Sequence, residues 1–181
     1  RFARAYMGKL WIFVNNSGLY KIDMSTFKIE DHYTLLTDYE GNSLRTFYID
    51  KKGYIWFGTI DGIYIFDPTD GKLSHYKHSR TDPFSLPNNS IWEISEDRQS
   101  NVWIGTYSGT LCYVNIDENN AFKTYHPQNS GLNHTPVSAF AEDQQYLWVG
   151  TEGGGINRMN KATGEFSYIT SANSITSNNI K

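Results

Sequence analysis

The stretch Trp56-Phe57-Gly58-Thr59 decides the fold of this chain, because it returns as Trp103-Ile104-Gly105-Thr106 and as Trp148-Val149-Gly150-Thr151. A weaker first copy is Trp11-Ile12-Phe13-Val14. Successive tryptophans of the four copies are 45, 47 and 45 residues apart. A period of this length is typical of propeller blades, solenoids and other repeat arrays.

Each copy predicts a short buried strand. A run such as Tyr54-Ile55-Trp56-Phe57 is β-branched and aromatic without helical spacing, which indicates a central strand buried on both faces. The glycine after each run marks a place where a side chain would collide with a neighbouring layer or where the backbone bends. A second turn glycine then begins another strand in each unit: Gly18, Gly62, Gly109 and Gly154.

Two further strands complete each unit. We expect outer strands that end at Tyr33, Tyr76, Tyr125 and Ile169, and first strands over Leu44 to Asp50, Ile91 to Asp97 and Val137 to Asp143. Four antiparallel strands in about 45 residues describe a propeller blade. The sequence therefore predicts an all-β propeller of about four blades in one domain, with units 1–43, 44–90, 91–136 and 137–179 and the start of another at 180–181.

The phase of the repeats allows two arrangements. Either the chain is a sector of a larger propeller, or its two ends share one blade and close a ring. Four blades lie at the lower limit of about four to eight for propellers, so we favour the sector. An open sector exposes two apolar blade faces, which further blades of a parent chain or a second copy would cover.

Charge and composition exclude several classes of partner. The formal net charge is −3 and no basic run is present, so nucleic acid and anionic membrane are not expected partners. The longest apolar run, Leu10 to Val14, is too short to cross a bilayer, so we expect no direct membrane insertion. Cys112 is the single cysteine, and on a central strand it is expected to act as a small hydrophobic residue.

The repeats resemble the two-component regulator propeller repeat. The pattern is carried by Asn88-Asn89-Ser90-Ile91, Ile94-Ser95-Glu96-Asp97 and Val102-Trp103-Ile104-Gly105-Thr106, and Ser177-Asn178-Asn179-Ile180 resembles the opening of a fifth copy. The first copy departs from it, with Val14-Asn15 in place of Gly-Thr, and we expect its inner edge to be less regular.

This resemblance implies part of the periplasmic sensor region of a hybrid two-component system, of the kind that gut bacteria use to detect fragments of complex glycans. It implies an extracytoplasmic, carbohydrate-sensing segment of a parent protein. That parent is an inner-membrane histidine kinase that forms a homodimer. The sequence contains neither a kinase catalytic motif nor a glycine-rich ATP lid. We therefore expect this segment not to be an enzyme.

Residues that repeat in every copy are expected to be structural. The four tryptophans of the period are expected to lie in the core, because burying a ring removes roughly 150–250 Å² from water. Asp50, Asp97 and Asp143 precede tight turns and are expected to accept local backbone hydrogen bonds.

Candidate ligand-binding residues occupy equivalent positions but differ in chemistry. Propeller ligands meet loops at one end of the axis, where the turns between second and third strands supply Asp61, Tyr107 and Glu152, and the first strands supply Arg45 and Trp92 beside Ser138. The two rings could stack on a sugar face, and the charged groups could bind hydroxyls or charged substituents. The alternative is that these residues are unconstrained surface.

Three functions remain open at this stage. The first is a ligand-sensing propeller that binds an oligosaccharide and signals to a kinase. The second is a structural or protein-binding scaffold that sets receptor dimer geometry. The third is a propeller-type polysaccharide lyase, for which Asp61 and Glu152 are the candidate carboxylate pair. The histidines lack metal-ligand spacing and no cofactor motif is present, so we expect no metal and no cofactor.

Overall fold

The structure, a computed structural model, describes residues 2–36, 44–107, 110–115 and 119–181. These residues form four antiparallel sheets, each with its strands in sequence order. Blade 1 comprises β1 (Ala3–Tyr6), β2 (Lys9–Val14), β3 (Gly18–Asp23) and β4 (Ile29–Tyr33); blade 2 comprises β5 (Leu44–Ile49), β6 (Ile55–Thr59), β7 (Gly62–Asp67) and β8 (Lys72–Tyr76). Blade 3 comprises β9 (Ile91–Glu96), β10 (Val102–Thr106), β11 (Leu111–Asn115) and β12 (Asn119–Tyr125); blade 4 comprises β13 (Val137–Glu142), β14 (Tyr146–Thr151), β15 (Gly155–Asn160) and β16 (Phe166–Ile169).

The first strands of the blades lie at the centre and contact one another in the order β1, β5, β9, β13. The expected outer strands are confirmed, since β4, β8, β12 and β16 end at the residues that the sequence indicated. No helix of a length and hydrophobicity that could cross a membrane occurs in the described ranges. The predicted unit boundaries and the sector arrangement stay predictions.

Glycine in the repeated motif lets neighbouring blades approach near the axis. A Cβ added at Gly58 would lie 2.7 Å from Ile91 Cγ2, and one at Gly105 would lie 2.8 Å from Val137 Cγ1. At Gly150 the same role falls to Ile180, whose Cγ2 would be 2.7 Å away. The predicted collision with a neighbouring layer is confirmed, and Ile180 occupies the place that Ile91 and Val137 occupy on the preceding blades.

Farther from the axis, aromatic rings hold successive blades together. The last tyrosine of each outer strand meets a phenylalanine of the next blade edge to face, with centroid separations of 4.9 Å for Tyr33–Phe66, 5.9 Å for Tyr76–Phe122 and 6.2 Å for Tyr125–Phe166. Edge-to-face pairs contribute about 0.5–1.5 kcal/mol beyond the area that they bury. The interfaces of blades 2 and 3 and of blades 3 and 4 therefore combine a close glycine contact at the centre with a ring contact outside.

The repeated aspartates bind both the turn and the tryptophan. Asp97 accepts backbone hydrogen bonds from Gln99 and Asn101, each at 2.9 Å, as expected. Its other oxygen accepts the indole N–H of Trp103 at 2.8 Å. The same indole bond joins Trp56 to Asp50 at 2.8 Å and Trp148 to Asp143 at 2.9 Å. The carboxylate thus anchors the first strand, the turn and the second strand of blades 2 to 4.

The repeated threonines close the next hairpin of each blade, at the other end of the second strand. Thr59 Oγ1 donates to Gly62 O at 2.9 Å and Thr151 Oγ1 donates to Gly155 O at 3.1 Å. Gly155 therefore begins the third strand of blade 4, and the prediction of Gly154 for that position was wrong by one residue. Its φ of +76° and the carbonyl of Ile169, 2.4 Å from an added Cβ, explain why glycine is required there.

Two further predictions need correction. Trp11, Trp56 and Trp103 are buried, but Trp148 is only half-buried, because no fifth sheet covers its face in the described part of the chain. In the first copy, the pairing of Phe13 with Leu19 matches that of Gly58 with Ile63. Phe13-Val14, and not Val14-Asn15, thus replaces Gly-Thr.

Candidate ligand-binding site

Three central strands carry a β-bulge at the same place. In β5 the pairing jumps from Leu44 to Thr46, in β9 from Ile91 to Glu93, and in β13 from Val137 to Ala139. The extra residues are Arg45, Trp92 and Ser138. A bulge turns a side chain out of the strand's alternation and is common beside functional sites. The same β-bulge therefore positions these three residues, which are equivalent in the repeat but differ in chemistry.

The bulge residues line a cavity at the end of the axis where the Gly-Thr turns lie. Its volume is about 380 Å³, and it is lined by Arg4, Arg45, Thr46, Trp92, Glu93, Ser138, Glu152 and Lys181. A second cavity of about 370 Å³ shares four of these residues, Arg4, Glu93, Ser138 and Lys181. The two together follow the central strands, and we call them the axial cavity.

Arg45, Trp92 and Tyr107 form a continuous stack at this cavity. The Arg45 guanidinium lies 5.4 Å from the Trp92 ring centroid, a distance at which a cation is attracted to the ring face. Tyr107 lies on Trp92 with centroids 5.5 Å apart and planes tilted by 31°. Tyr107 does not itself line the axial cavity, but it is 53% exposed, so the stack ends beside the cavity in a ring that a ligand can reach.

The cavity is polar and carries both charges. Arg4, Arg45 and Lys181 line it together with Glu93 and Glu152, and Lys181 Nζ lies 3.9 Å from Glu152 Oε1. The Ser138 hydroxyl contacts the carbonyls of Gly150 at 3.1 Å and Ile180 at 2.6 Å. This hydroxyl is therefore held by the backbone and joins β13 to the segment that precedes Lys181.

Asp61 lies apart from the other sequence candidates. Its carboxylate is 2.6 Å from Lys77 Nζ, and its carbonyl contacts His75 Nε2 at 2.7 Å. It does not line the axial cavity, whereas Glu152 does. The two carboxylates that a lyase would need are thus not brought together. Among the described residues, no cluster of His, Cys, Asp or Glu is placed to hold a metal ion.

Several lining residues escaped the sequence analysis. Arg4 pairs with Trp11, as Tyr48 pairs with Trp56, so its place on a central strand could have been found by aligning it to the tryptophan period. Glu93 follows a bulge residue, and a bulge leaves no mark in the apolar pattern. Only the three-dimensional register shows the contribution of Glu93.

Sheets of four strands in sequence order, stacked around a central cavity, define the chain as a β-propeller segment. Residues 38–61, 85–108 and 131–153 match the model of the two component regulator propeller. In these three segments the chain is therefore similar to the two component regulator propeller repeat.

Solved structures support the same fold. Extracellular domains of two proteins from B. thetaiotaomicron, each described as a hybrid two component system, superpose with TM-scores of 0.73 and 0.69 at 22% and 15% identity. They match over 93% and 94% of this chain but only 24% and 23% of theirs. The chain therefore spans about a quarter of their length.

A protein with another activity shares the fold. An inactive H270A virginiamycin B lyase from Staphylococcus aureus, solved with quinupristin, matches with a TM-score of 0.65 at 19% identity, over 91% of this chain and 53% of the lyase. None of the curated proteins matches the sequence. The likeness to the lyase concerns the fold alone, so function has to be argued from the site.

Proposed function

We propose that this chain is an extracytoplasmic, ligand-sensing propeller segment of a two-component sensor, and that its axial cavity binds an oligosaccharide. The ligand signal passes to a histidine kinase elsewhere in the parent protein, across the inner membrane from this periplasmic segment. The observation that carries the proposal is the presentation of Arg45, Trp92 and Ser138 by one repeated bulge around a single cavity. The family and the extracellular solved neighbours support the location.

The chemistry of the cavity suits a saccharide. A pyranose ring has an apolar C–H face and a rim of hydroxyl groups, so it needs a flat ring on one side and hydrogen-bonding groups around it. Tyr107 and Trp92 provide the rings, while Arg45 and Glu152 provide charged donors and acceptors. A volume of about 380 Å³ falls within the roughly 300–1,000 Å³ of small-molecule sites.

The blade arrangement offers a route for the signal. The lining residues belong to all four blades, and near the axis blades 3 and 4 each place one residue against a glycine of the preceding blade. A ligand that binds better to one relative arrangement of the blades shifts the population toward it. The shift would alter the geometry of the parent homodimer.

Isothermal titration calorimetry against a panel of neutral and acidic oligosaccharides tests the proposal. We expect at least one ligand to release heat, and Trp92→Ala and Tyr107→Ala to weaken its binding. Phe84→Ala is the matched control, because Phe84 is 62% exposed on the connection before blade 3 and does not line the cavity. No heat with any glycan, or equal loss with the control, would refute the proposal.

A protein-binding scaffold is the second candidate, and an exposed apolar patch on blade 1 favours it. Met7 is 81% exposed and Phe27 is 85% exposed. Their turns are joined by a hydrogen bond of 3.1 Å from Met24 N to Gly8 O. If replacing Met7 and Phe27 by serine abolished signalling in the parent protein while Trp92→Ala left it intact, the scaffold function would be supported over ligand sensing.

A further inference from the structure

Another cavity, separate from the axial cavity, lies between blades 3 and 4. It is at the end of the blades where the Asp97 turn lies. Its volume is about 450 Å³, and its walls include the rings of Trp103, Tyr113 and Tyr125 and the side chains of Gln99, Gln144 and Gln145. It shares no residue with the axial cavity. We call it the lateral cleft.

The rings of the lateral cleft form one aromatic wall. The centroids of Trp103 and Tyr113 are 4.7 Å apart, those of Trp103 and Tyr125 are 5.8 Å apart, and those of Tyr113 and Tyr125 are 6.1 Å apart. The planes of the two tyrosines differ by 28°. Trp103 is only 3% exposed and lies behind the other two rings, so the half-buried rings of Tyr113 and Tyr125 form the accessible apolar surface of the cleft.

Tyr113 sets this wall apart from the same place on the other blades. The partner of the repeated tryptophan on the third strand is Lys21 in blade 1, Ile65 in blade 2 and Arg158 in blade 4. Lys21 pairs with Asp31 at 3.2 Å, and Arg158 lies over the rings of Tyr146 and Trp148. Ile65 is packed in the core. A ring at this position is thus not required by the blade.

Three glutamine side chains also line the lateral cleft. Gln99, Gln144 and Gln145 are exposed, and no hydrogen bond involves their side chains within the described ranges. A primary amide provides two donors and an acceptor. The charged groups of the cleft have partners already: Lys161 Nζ contacts Glu142 at 2.9 Å, and Asp97 accepts the indole and turn N–H groups.

We propose that the lateral cleft binds a neutral pyranoside. The half-buried rings of Tyr113 and Tyr125 match the C–H face of the sugar, and the glutamine amides match its hydroxyl groups. A charged ligand would find no unpaired group of opposite charge in the cleft. The cleft is independent of the axial cavity, so each can fail without the other.

Solution NMR of the full chain tests the proposal, with cellobiose and maltose as separate probes at millimolar concentration. We expect one of the two to shift the indole N–H resonance of Trp103 and the side-chain amide resonances of Gln99, Gln144 and Gln145. Tyr113→Ile, which installs the residue that blade 2 carries at this position, should keep the fold and weaken binding about tenfold, as the loss of a ring contact predicts. Gln144→Ala is a second variant that changes only an exposed side chain and should also weaken binding.

Tyr107→Ala separates this proposal from the previous one. The variant removes the ring that lies against Trp92 of the axial cavity, so we expect the titration of the lateral cleft to be unchanged. The proposal is overturned if neither disaccharide moves the Trp103 and glutamine resonances. It is equally overturned if folded Tyr113→Ile and Gln144→Ala bind as tightly as the unsubstituted chain.

Discussion

Removing the Asp97 carboxylate should destabilise the protein far more than removing its equivalent in blade 4. Asp97 is 3% exposed and accepts the indole N–H of Trp103, two backbone N–H groups and the Asn101 side-chain amide. In Asp97→Ala the buried indole N–H loses its partner, which costs about 1–3 kcal/mol. The turn donors can reach water and add about 0.5–1 kcal/mol each, so we expect a total loss of about 3–5 kcal/mol out of a typical 5–15 kcal/mol.

Urea unfolding followed by tryptophan fluorescence measures this loss as the change in the free energy of unfolding. Asp143→Ala is the matched control. Asp143 makes the same indole and turn bonds but is exposed, so water replaces the carboxylate and the loss should be clearly smaller. Equal losses in the two variants, or a loss below about 1 kcal/mol in Asp97→Ala, would refute the role that we give to the buried indole bond.

Three other outcomes are expected from the same contacts. Gly105→Ala should destabilise by about 1–3 kcal/mol in urea unfolding, because the new Cβ would lie 2.9 Å from the backbone O of Val137; an unchanged midpoint would contradict the close blade contact. Cys112 is buried in the core and burial raises the pKa of its thiol, so Ellman's reagent should label it only as fast as the chain unfolds; immediate labelling would contradict its burial. Burial raises the pKa of Asp50 from its ordinary value, whereas backbone and indole N–H groups lower the pKa of Asp143, and carboxyl NMR titrations should show this contrast. Stability from Asp143 should therefore be lost as the pH falls through its folded pKa, and that from Asp50 as the pH rises through its own; the same pKa in both would contradict this contrast.

The sequence period was sufficient to predict the blades. Apolar strands and turn glycines recur at fixed distances from each tryptophan, so each element is supported by its counterparts in other copies. The ends of the outer strands were confirmed for this reason. The error at Gly154 arose because Gly153, Gly154 and Gly155 are adjacent, and only hydrogen bonding identifies the one that starts the strand.

Burial and side-chain partners were less predictable. Trp148 has the sequence environment of Trp103 but a different exposure, since burial depends on the next sheet and not on the repeat itself. The indole bond had a signal in the sequence, namely that Asp50 and Asp97 each precede their tryptophan by six residues. This spacing can be recognised as an indole hydrogen bond only when the register of the paired strands is known.

The candidate site was predicted in part. Arg45 and Trp92 were correctly predicted at the cavity. They occupy the same position of the repeat but differ in chemistry, and such variation is visible in the sequence. The bulges that present these side chains and the contributions of Arg4 and Glu93 depend on register. Asp61 was predicted at the same site because it lies on an equivalent loop. Its carboxylate instead pairs with Lys77, outside the cavity.

The most direct test of the ligand-sensing function uses the indole N–H resonances of the five tryptophans. Only Trp92 among them lines the axial cavity. Titration of the chain with an oligosaccharide that gives heat in calorimetry should move the Trp92 resonance, and should still do so in Tyr113→Ile. A bound oligosaccharide that leaves Trp92 unmoved would contradict the assignment of the axial cavity as the sensing site.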